Sequence, residues 1–500
     1  MAAALHLHPR KTLGDLLPEL PSPLAQLPIE GLALDSRHLQ PGEVFLAYPG
    51  EKIDGRLFVD QAVAKGAAAV IAESGFERSD LTLPVIRIPN LRAQLSNIAG
   101  RFFDQPSADL NVIGVTGTNG KTSSTQLLAQ ALRLTGHSCG AIGTLGNSLD
   151  GSIDGGGLTT PDPVALQQQL AQWRDQGVRH VAMEVSSHGL VQGRVSGVRF
   201  RGAVFTNLSR DHLDFHGSME KYGAAKAALF DLAGVEFAVI NRDDAFGRVL
   251  IERLRDRLPV IDYSLHEAAA IAVRSVDYRG DGVRATLATP WGDIDARSHL
   301  LGDFNLSNLL AVIAVLGKFN VDAQTIAALL PKLRPIAGRM QRVGSAAVEV
   351  VVDYAHTPDA LEHALSALRR HCRGKLWCVF GCGGDRDKGK RPQMGAIARR
   401  LADRIVLTSD NPRSEAPQAI IDDIVAGIPD MNGVTIASDR ADAIACAVRH
   451  AQPGDLVLLA GKGHEDYQLV GSEIRPFNDV TVARAALMSR DADDSDRGPA

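Results

Sequence analysis

Residues 111–122 carry glycines, a lysine and a threonine at a spacing that suits phosphate binding. An apolar run, 111–115, leads into a glycine-rich turn, and Lys121 and Thr122 open a segment with helical periodicity. The glycines that we expect to give this turn its backbone freedom are Gly114, Gly117 and Gly120. Backbone N–H groups, a helix start and an ammonium group would then converge on one anion. The strict P-loop spacing is not met, because Val115 stands where its first glycine belongs. We predict a nucleotide phosphate site; an ordinary strand-to-helix turn is the alternative.

Glu184 is a second candidate for phosphate chemistry, because it directly follows the apolar residues Val-Ala-Met. A carboxylate that ends a buried strand is costly to bury without a cation. A magnesium ion on the nucleotide phosphates would provide one, with Thr122 and Glu184 as its protein ligands and water completing the shell. The alternative is a strand-end glutamate paired with an arginine.

The densest polar cluster in the chain is 210–216, Arg-Asp-His-Leu-Asp-Phe-His. Two histidines four residues apart, His212 and His216, would suit zinc if they lay on a helix. The run follows a predicted strand and precedes Gly217, so we expect a loop, and a second magnesium or a substrate contact is favoured over zinc.

Lys226 lies in a predicted helix, 219–233, that begins after the N-cap candidate Ser218. It shares a face with apolar residues, and partial desolvation would lower its pKa and favour the neutral amine. A neutral amine can react with dissolved carbon dioxide to give a carbamate, which binds metal. The alternative, a lysine that extends to water, is favoured by these residues alone.

These side chains are positioned by strands that alternate with helices, which predicts parallel sheets with covered faces. A chain of 500 residues exceeds one hydrophobic core. We expect an α/β protein of three domains: a smaller α/β unit over 1–106, a central P-loop-type parallel sheet with helices on both faces over 107–336, and a Rossmann-like unit over 337–489. Residues 490–500 are predicted to be a disordered tail. Polar residues after three strands of the central domain should converge at one edge of the sheet.

Composition excludes several classes of protein. A net charge of −5 argues against a broad nucleic-acid surface. No apolar run approaches the roughly 20 residues that span a bilayer. The cysteines are five, an odd number, and no secretory leader precedes them, which predicts reduced thiols and a cytoplasmic location. Cys378 and Cys382 lack the partners of a zinc site.

Other polar segments leave their alternatives open. The segments 34–37 and 51–56 are better explained by turn chemistry than by binding. Asn305 and Asn308 are either helix-start residues or contacts to a purine. In the last domain, mixed charges end the strands and favour a zwitterionic ligand over a solvated rim; these segments are 353–358, 383–391, 410–413 and 461–466.

Taken together, six motifs resemble the Mur ligases, in the right order over nearly the whole chain. They are Thr-Gly-Thr-Asn-Gly-Lys-Thr at 116–122, Glu-Val-Ser-Ser-His at 184–188, Asn-Leu-Ser-Arg-Asp-His-Leu-Asp at 207–214, Gly-Asp-Phe-Asn at 302–305, Gly-Arg-Met at 338–340 and Asp-Tyr-Ala-His at 353–356. The resemblance implies an ATP- and Mg²⁺-dependent amide-bond ligase of peptidoglycan precursor synthesis that acts through an acyl phosphate. We expect it to be a monomer.

Asp410-Asn411-Pro412-Arg413 resembles the signature of the branch of this family that adds meso-2,6-diaminopimelate to UDP-N-acetylmuramoyl-L-alanyl-D-glutamate. A guanidinium can hold the distal carboxylate of diaminopimelate with two hydrogen bonds, and lysine has no such group. The resemblance adds Arg386, Gly461 and Glu465 to this amino-acid site, with Glu465 suited to the second ammonium group.

The resemblance also assigns the remaining site residues. It implies uridine contacts from Leu34, Ser36, Glu51, Lys52 and Ile53, and muramoyl-dipeptide contacts from Thr159, Thr160, Ser186, Gln192 and Arg194. It implies ATP contacts from Gly117, Thr118, Asn119, Gly120, Lys121, Thr122, Asn305, Arg339, Asp353 and His356. Lys226 matches a carbamylated lysine, which reverses the interpretation from residues alone, and with His212 it would hold a second magnesium. Lys121, Glu184, His212 and Lys226 are then the catalytic candidates.

Two rivals remain at this point. One is a sister ligase that adds lysine, or adds glutamate to folate, and Asp410–Arg413 speaks against it. The other is a P-loop regulatory NTPase whose last domain binds a protein. It would hydrolyse nucleotide without small-molecule acceptors.

Overall fold

The computed structural model describes residues 11–51, 53–154, 157–344 and 348–496. Within these ranges the chain divides into two compact units, the first up to residue 270 together with 311–320, and the second 271–310 with the chain from 321 onward. The domain boundaries expected from the sequence stay a prediction. In the part of the chain that the structure describes, no helix combines the length and apolarity needed to cross a membrane.

The first unit opens with a parallel sheet in the order β3-β4-β5-β6. Its elements are β1 (Lys11–Thr12), α1 (Leu13–Leu16), β2 (Pro28–Ile29), β3 (Gly31–Ala33), β4 (Glu43–Ala47), α2 (Val59–Ala64), β5 (Ala69–Glu73), β6 (Val85–Ile88) and α3 (Leu91–Phe102), with 3₁₀ turns at 24–26, 55–58 and 106–108. Along β4, Val44 and Leu46 pack with α1 and α3, whereas Phe45 and Ala47 pack with α2. Alternate residues of a strand face opposite sides, so both faces are covered.

The same unit contains a larger sheet around the predicted phosphate turn. Its elements are β7 (Asn111–Thr116), α4 (Lys121–Leu134), β8 (Cys139–Gly143), β9 (Gly146–Leu149), β10 (Ser152–Asp154), α5 (Pro163–Asp175), β11 (His180–Glu184), α6 (Ser187–Val191), β12 (Phe200–Phe205), α7 (Leu213–His216), α8 (Met219–Ala227), β13 (Phe237–Asn241), α9 (Ala245–Leu254) and β14 (Val260–Ser264). In the order β8-β11-β7-β12-β13-β14 neighbouring strands are parallel, and β9 and β10 add an antiparallel edge.

The strand register brings three polar strand ends together. Glu184 pairs with Val115, and Phe205 pairs with Thr116. The loops after β7, β11 and β12 therefore leave the sheet side by side, which confirms the predicted convergence. The strands are buried along nearly their whole length, as expected when helices cover both faces.

The second unit starts with an antiparallel meander, β15 (Ile271–Arg279), β16 (Gly282–Ala288) and β17 (Ile294–Ser298). The next helices along the chain are α10 (Asp303–Lys318), whose residues from 311 onward belong to the first unit, and α11 (Ala323–Leu329), with a 3₁₀ turn at 330–332.

A further sheet follows in the order β18-β19-β23-β20-β21-β22, parallel except for β18. Its elements are β18 (Gln341–Val343), β19 (Glu349–Asp353), α12 (Pro358–Arg369), β20 (Leu376–Phe380), α13 (Lys390–Leu401), β21 (Arg404–Leu407), α14 (Pro417–Val425), β22 (Val434–Ile436), α15 (Arg440–His450), β23 (Leu456–Ala460), β24 (Tyr467–Val470), β25 (Glu473–Pro476) and α16 (Asp479–Asp496). Residues of α12, α13 and α14 pack on one face, and residues of α15 and α16 on the other.

Two expectations about helix ends were wrong. The predicted helix 219–233 ends at Ala227 and continues as a 3₁₀ turn over 228–231. The predicted disordered tail is helical as far as Asp496. Arg490 explains why, because its guanidinium donates to the carbonyls of Val448 and Ala451 and holds α16 against the end of α15.

Candidate active site

The turn between β7 and α4 has the backbone of an anion-binding loop. Gly117 and Gly120 have φ of 150° and 84°, in the region that favours glycine. A Cβ at Gly117 would also lie 1.8 Å from Thr206 Oγ1. Gly114 differs from the expectation: it lies within β7, and a Cβ there would meet the Phe200 ring at 2.9 Å. Gly114 therefore allows β7 to pack closely against Phe200, and it does not contribute to the backbone freedom of the turn.

Asn207, the second residue after β12, fixes this loop. Its carbonyl accepts from the Thr118 N–H at 2.8 Å, and its side-chain oxygen accepts from the Asn119 N–H at 2.9 Å. Thr206 Oγ1 also donates to the Asn119 carbonyl at 2.6 Å. Asn207 lies within one of the motifs that resemble the Mur ligases, but no role was predicted for it; its position just beyond a buried strand is the signal that could have found it.

Lys121, the first residue of α4, folds back over the loop. Its Nζ donates to the carbonyls of Gly117 and Thr118, each at 2.8 Å. The ammonium group therefore lies at the predicted phosphate position. A bound phosphate would offer it oxygens of full negative charge in exchange for these carbonyls.

Glu184 and Thr122 lie in contact. Glu184 is 1% exposed, and its Oε2 accepts from Thr122 Oγ1 at 3.0 Å. Its Oε1 accepts from the Thr144 N–H at 2.8 Å. Gly143 leaves room for the carboxylate, since a Cβ there would lie 2.1 Å from Oε1. A hydroxyl and a carboxylate oxygen side by side at the start of α4 fit the hard oxygen ligands that magnesium takes.

Lys226 lies on α8 and is 1% exposed. The interpretation of a desolvated lysine is therefore confirmed, and the alternative of a lysine that extends to water is wrong. Its Nζ donates to the Gly117 carbonyl at 2.8 Å and lies 4.2 Å from the centre of the Tyr222 ring. Burial lowers the pKa of Lys226 well below its usual value, and the charge of Lys121 lowers it further. The aromatic face favours the ammonium form, but by only about 1 kcal/mol or somewhat more, so burial decides.

The two histidines of 210–216 lie at opposite ends of one helical turn and make different polar contacts. His212 caps α7 with a left-handed φ of 50°, and its Nε2 lies 3.4 Å from Asp211 Oδ2. His216 is buried, and its Nε2 is hydrogen-bonded to Ser187 Oγ at 2.9 Å. The expectation of a loop was wrong for Leu213–His216, which form one helical turn. Among the described residues, no group of three or more His, Cys, Asp or Glu could hold a metal by itself.

Four of the five residues expected at the muramoyl dipeptide share one hydrogen-bonded group after β11. Thr160 Oγ1 accepts from the Ser186 N–H at 2.9 Å, and Arg194 donates to the Thr160 carbonyl at 2.7 Å. Thr159 Oγ1 lies 3.0 Å from Thr144 Oγ1, which also contacts Glu184. Gln192 is joined instead to Glu51, by a hydrogen bond from its amide to Oε1.

The residues expected at the uridine are less clustered. Ser36 is buried and its hydroxyl donates to Gln61 Oε1 at 2.7 Å, while Leu34 packs against the core next to α1 and α3. Ile53 is 63% exposed, and Lys52 lies outside the described residues.

In the second unit, three of the four residues expected to contact ATP there come together. Arg339 stacks on the Tyr354 ring at 4.5 Å, and Asp353 Oδ2 accepts from the Met340 N–H at 2.8 Å. His356 follows, with Nδ1 2.9 Å from the Tyr354 carbonyl. Asn305, the fourth residue, makes a different contact: its side-chain amide donates to the carbonyl of Leu301, four residues earlier, at 2.8 Å.

The predicted amino-acid site is built around a lysine that the sequence analysis did not assign. Lys462 is fully buried, and its Nζ donates to Asn411 Oδ1 and Glu465 Oε2, both at 3.1 Å. Asn411 also donates to Glu465 Oε2 at 2.9 Å. Burial raises the pKa of Asp410, while the charges of Arg440 and Lys462 oppose that rise. A lysine between two glycines, directly after an apolar run, was the signal available in the sequence.

Two glycines of this site, Gly461 and Gly383, leave room for the side chains of Asp410 and Arg413. A Cβ at Gly461 would lie 2.6 Å from Asp410 Oδ2, and one at Gly383 would lie 2.9 Å from Arg413 NH1 and 3.7 Å from Arg386 Cγ. Arg413 has a left-handed φ of 53°, and its NH1 donates to the Gly384 carbonyl at 2.8 Å. Arg386 and Arg413 thus both lie next to Gly383, and their role in binding an amino acid stays a prediction.

Family profiles match most of the chain. They are described as Mur ligase family, catalytic domain, over 28–103, Mur ligase middle domain, over 115–316, and Mur ligase, glutamate ligase domain, over 338–463. The chain belongs to the Mur ligase family. The expected α/β fold with a central parallel sheet is confirmed by solved structures of this family as well as by the topology above.

Among its relatives is the UDP-N-acetylmuramoyl-L-alanyl-D-glutamate--2,6-diaminopimelate ligase of Ectopseudomonas mendocina (strain ymp), 52% identical over 96% of this chain and 99% of the relative. A solved structure of a ligase with the same description is 37% identical, with a TM-score of 0.74, and covers 97% of this chain and 100% of its own. Folylpolyglutamate synthase of Mycobacterium tuberculosis, solved with ADP and AMPPCP, shares the fold alone, at 19% identity and a TM-score of 0.62 over 79% of this chain and 95% of its own.

Proposed function

We propose that this protein is an ATP-dependent ligase that joins meso-2,6-diaminopimelate to the D-glutamate γ-carboxylate of UDP-N-acetylmuramoyl-L-alanyl-D-glutamate, in the synthesis of a peptidoglycan precursor. The observation that carries the proposal is 52% identity, over nearly the full length of both chains, to a ligase of that name. The substrates are a nucleotide-linked sugar peptide and a free amino acid, so the proposed reaction is cytoplasmic, and the enzyme is proposed to act as a monomer.

The first step brings two anions together, because the γ-carboxylate of D-glutamate attacks the γ-phosphate of ATP. An acyl phosphate forms and ADP leaves. Lys121, at the N-terminus of α4, would bind the β- and γ-phosphates. Thr122 and Glu184 would hold magnesium, which supplies positive charge for the phosphoryl group during transfer.

Lys226 is proposed to carry a carbamate. Its low pKa provides a neutral amine whose lone pair attacks carbon dioxide: an N–C bond forms, an electron pair of one C=O bond moves to oxygen, and a proton leaves the nitrogen. A buried neutral amine is thereby replaced by an anion close to Lys121, and the ammonium group of Lys121 attracts that anion. His212 and this carbamate would be the ligands of a second magnesium.

The second step needs an amine held against the acyl phosphate. Arg413 and Arg386 are proposed to bind the distal carboxylate of diaminopimelate, and Glu465 its distal ammonium group. Lys462 compensates the charge of Glu465 when the site is empty and keeps the carboxylate in place. The free amine then attacks the acyl carbon, an amide bond forms, and phosphate leaves.

The test is phosphate release from ATP with the UDP-linked dipeptide and a panel of diaminopimelate, lysine and ornithine. Release should require both the dipeptide and diaminopimelate. Release with lysine in place of diaminopimelate would favour a sister ligase, and release without any acceptor would favour a regulatory NTPase.

A further inference from the structure

Tyr222 connects two parts of the candidate active site that lie far apart in the chain. It precedes Lys226 by four residues on α8, so both side chains project from one face of that helix. Tyr222 and Lys226 are each 1% exposed. The ring lies 4.2 Å from Lys226 Nζ, and the hydroxyl lies 3.2 Å from Thr118 Oγ1 in the phosphate loop.

The hydrogen bonds around Thr118 assign the donor. Thr118 Oγ1 accepts from the Ser209 N–H at 3.0 Å and is 3.2 Å from the Ser209 carbonyl, to which it can donate its single proton. Tyr222 then donates to Thr118, which is consistent with burial raising the pKa of Tyr222 to about 12. The tyrosine hydroxyl is therefore a fixed donor to the loop.

The ring itself is held by its neighbours. His216 lies against it with ring centres 4.9 Å apart and an angle of 32°, and His216 is in turn hydrogen-bonded to Ser187 after β11. His212 meets it edge-on at 6.1 Å. The contacts of Tyr222 with His216 and Thr118, and of His216 with Ser187, thus connect the segments of chain that follow β11, β12 and β7.

We propose that Tyr222 is a positioning residue with two separable tasks: its hydroxyl fixes Thr118 for nucleotide binding, and its ring holds the Lys226 side chain where it is carbamylated. The second task rests on the proposed carbamylation of Lys226. The two tasks use different atoms, so different substitutions should separate them.

Tyr222→Phe removes only the hydroxyl. It should weaken ADP binding by roughly 3- to 10-fold, the effect of one lost hydrogen bond, and raise KM for ATP while kcat changes little. Carbamate occupancy, measured as the ¹³C NMR signal of protein in ¹³C-bicarbonate, should stay at the wild-type level. Lys226→Ala identifies that signal by abolishing it.

Tyr222→Leu removes the ring. The Lys226 side chain then loses its support and gains contact with water, so the carbamate signal should fall by more than half at a fixed bicarbonate concentration. The accompanying loss of kcat should be partly recovered at higher bicarbonate. Tyr263→Phe is the matched control, because Tyr263 is also fully buried in the same unit and its hydroxyl donates to the Phe205 carbonyl. It should change neither ADP affinity nor the carbamate signal.

The outcomes distinguish the two proposals. A wild-type protein that is active without a carbamate signal contradicts the proposed chemistry of Lys226 and, with it, the role of the ring. If the wild-type protein carries the signal, wild-type ADP affinity in Tyr222→Phe overturns the task of the hydroxyl, and a wild-type carbamate signal in Tyr222→Leu overturns the task of the ring. If Tyr222→Leu does not fold, Tyr222→Met, which also removes the ring, replaces it in the second comparison.

Discussion

Lys121 and Lys226 donate to the same oxygen, the carbonyl of Gly117, each at 2.8 Å. Two ammonium groups that share one carbonyl repel each other, and Lys226 is the more deeply buried of the two. The neutral form of Lys226 is therefore favoured, and this is the form that attacks carbon dioxide in the proposed reaction.

Lys226→Ala should lower ligase activity by roughly 100- to 1,000-fold, because the proposed carbamate, a charged group next to the transferred phosphoryl, is lost. Short carboxylic acids should restore part of the activity by filling the space of the proposed carbamate. The measurement is phosphate release with and without added acid. Lys221→Ala, at an exposed position on the same helix, should behave as the wild type. Equal rescue of Lys226→Ala by a neutral amide of the same size would contradict the prediction.

Arg413→Ala should reduce kcat/KM for diaminopimelate by roughly 30-fold or more, since losing charged hydrogen bonds to a carboxylate costs about 2 kcal/mol or more. ADP affinity should be unchanged. Arg413→Lys keeps the charge but not the two-pronged geometry, so intermediate activity is expected. Turnover of diaminopimelate at the wild-type rate in Arg413→Ala would rule out this assignment.

Glu184→Gln keeps the size of the side chain and removes its charge. The magnesium concentration for half-maximal ADP release should rise roughly tenfold, which corresponds to about 1.4 kcal/mol of lost metal affinity. A magnesium titration of the initial rate tests this. An unshifted titration curve would mean that Glu184 serves the loop only through its bonds to Thr122 and Thr144.

His180 should make the first unit less stable as the pH falls. Burial lowers its pKa to about 4, against about 6.5 for an exposed histidine. Between these values the unfolded chain binds the proton and the folded chain does not, so the stability present above pH 6.5 is lost progressively toward pH 4. His180→Gln should flatten the pH dependence of the melting temperature in this window. His266→Gln, at an exposed position, should leave it unchanged.

Arg440 and Asp479 form an ion pair that is fully buried on both sides, at 2.7 Å. Arg440→Met leaves the carboxylate buried without a partner, so we expect a loss of roughly 3–5 kcal/mol in the free energy of unfolding. The matched control is Arg400→Met, which breaks a half-exposed pair with Glu362 at 2.8 Å and should cost less than about 1 kcal/mol. Denaturant unfolding compares the two. Similar losses would contradict the distinction between buried and surface pairs.

The sequence alone predicted the alternation of strands and helices, the phosphate loop and the convergence of three strand ends. These follow from local patterns, since apolar runs, glycine spacing and helix periodicity act over a few residues. The sequence alone did not predict correctly where some helices begin and end. The helix through Asp496 and the helical turn Leu213–His216 depend on contacts made elsewhere in the chain, which a local pattern does not contain.

The sequence therefore predicted which groups are reactive, whereas the tertiary structure determined how deeply they are buried and how their pKa values shift. Residues alone favoured a solvated Lys226, whereas packing of α8 buries it 109 positions from its partner Gly117. Lys462 is fully buried between Asn411 and Glu465, but the sequence shows it only as one residue of the polar segment 461–466, and no role was predicted for it. Burial and the distance to other charges set a pKa, and both arise only when distant segments pack together.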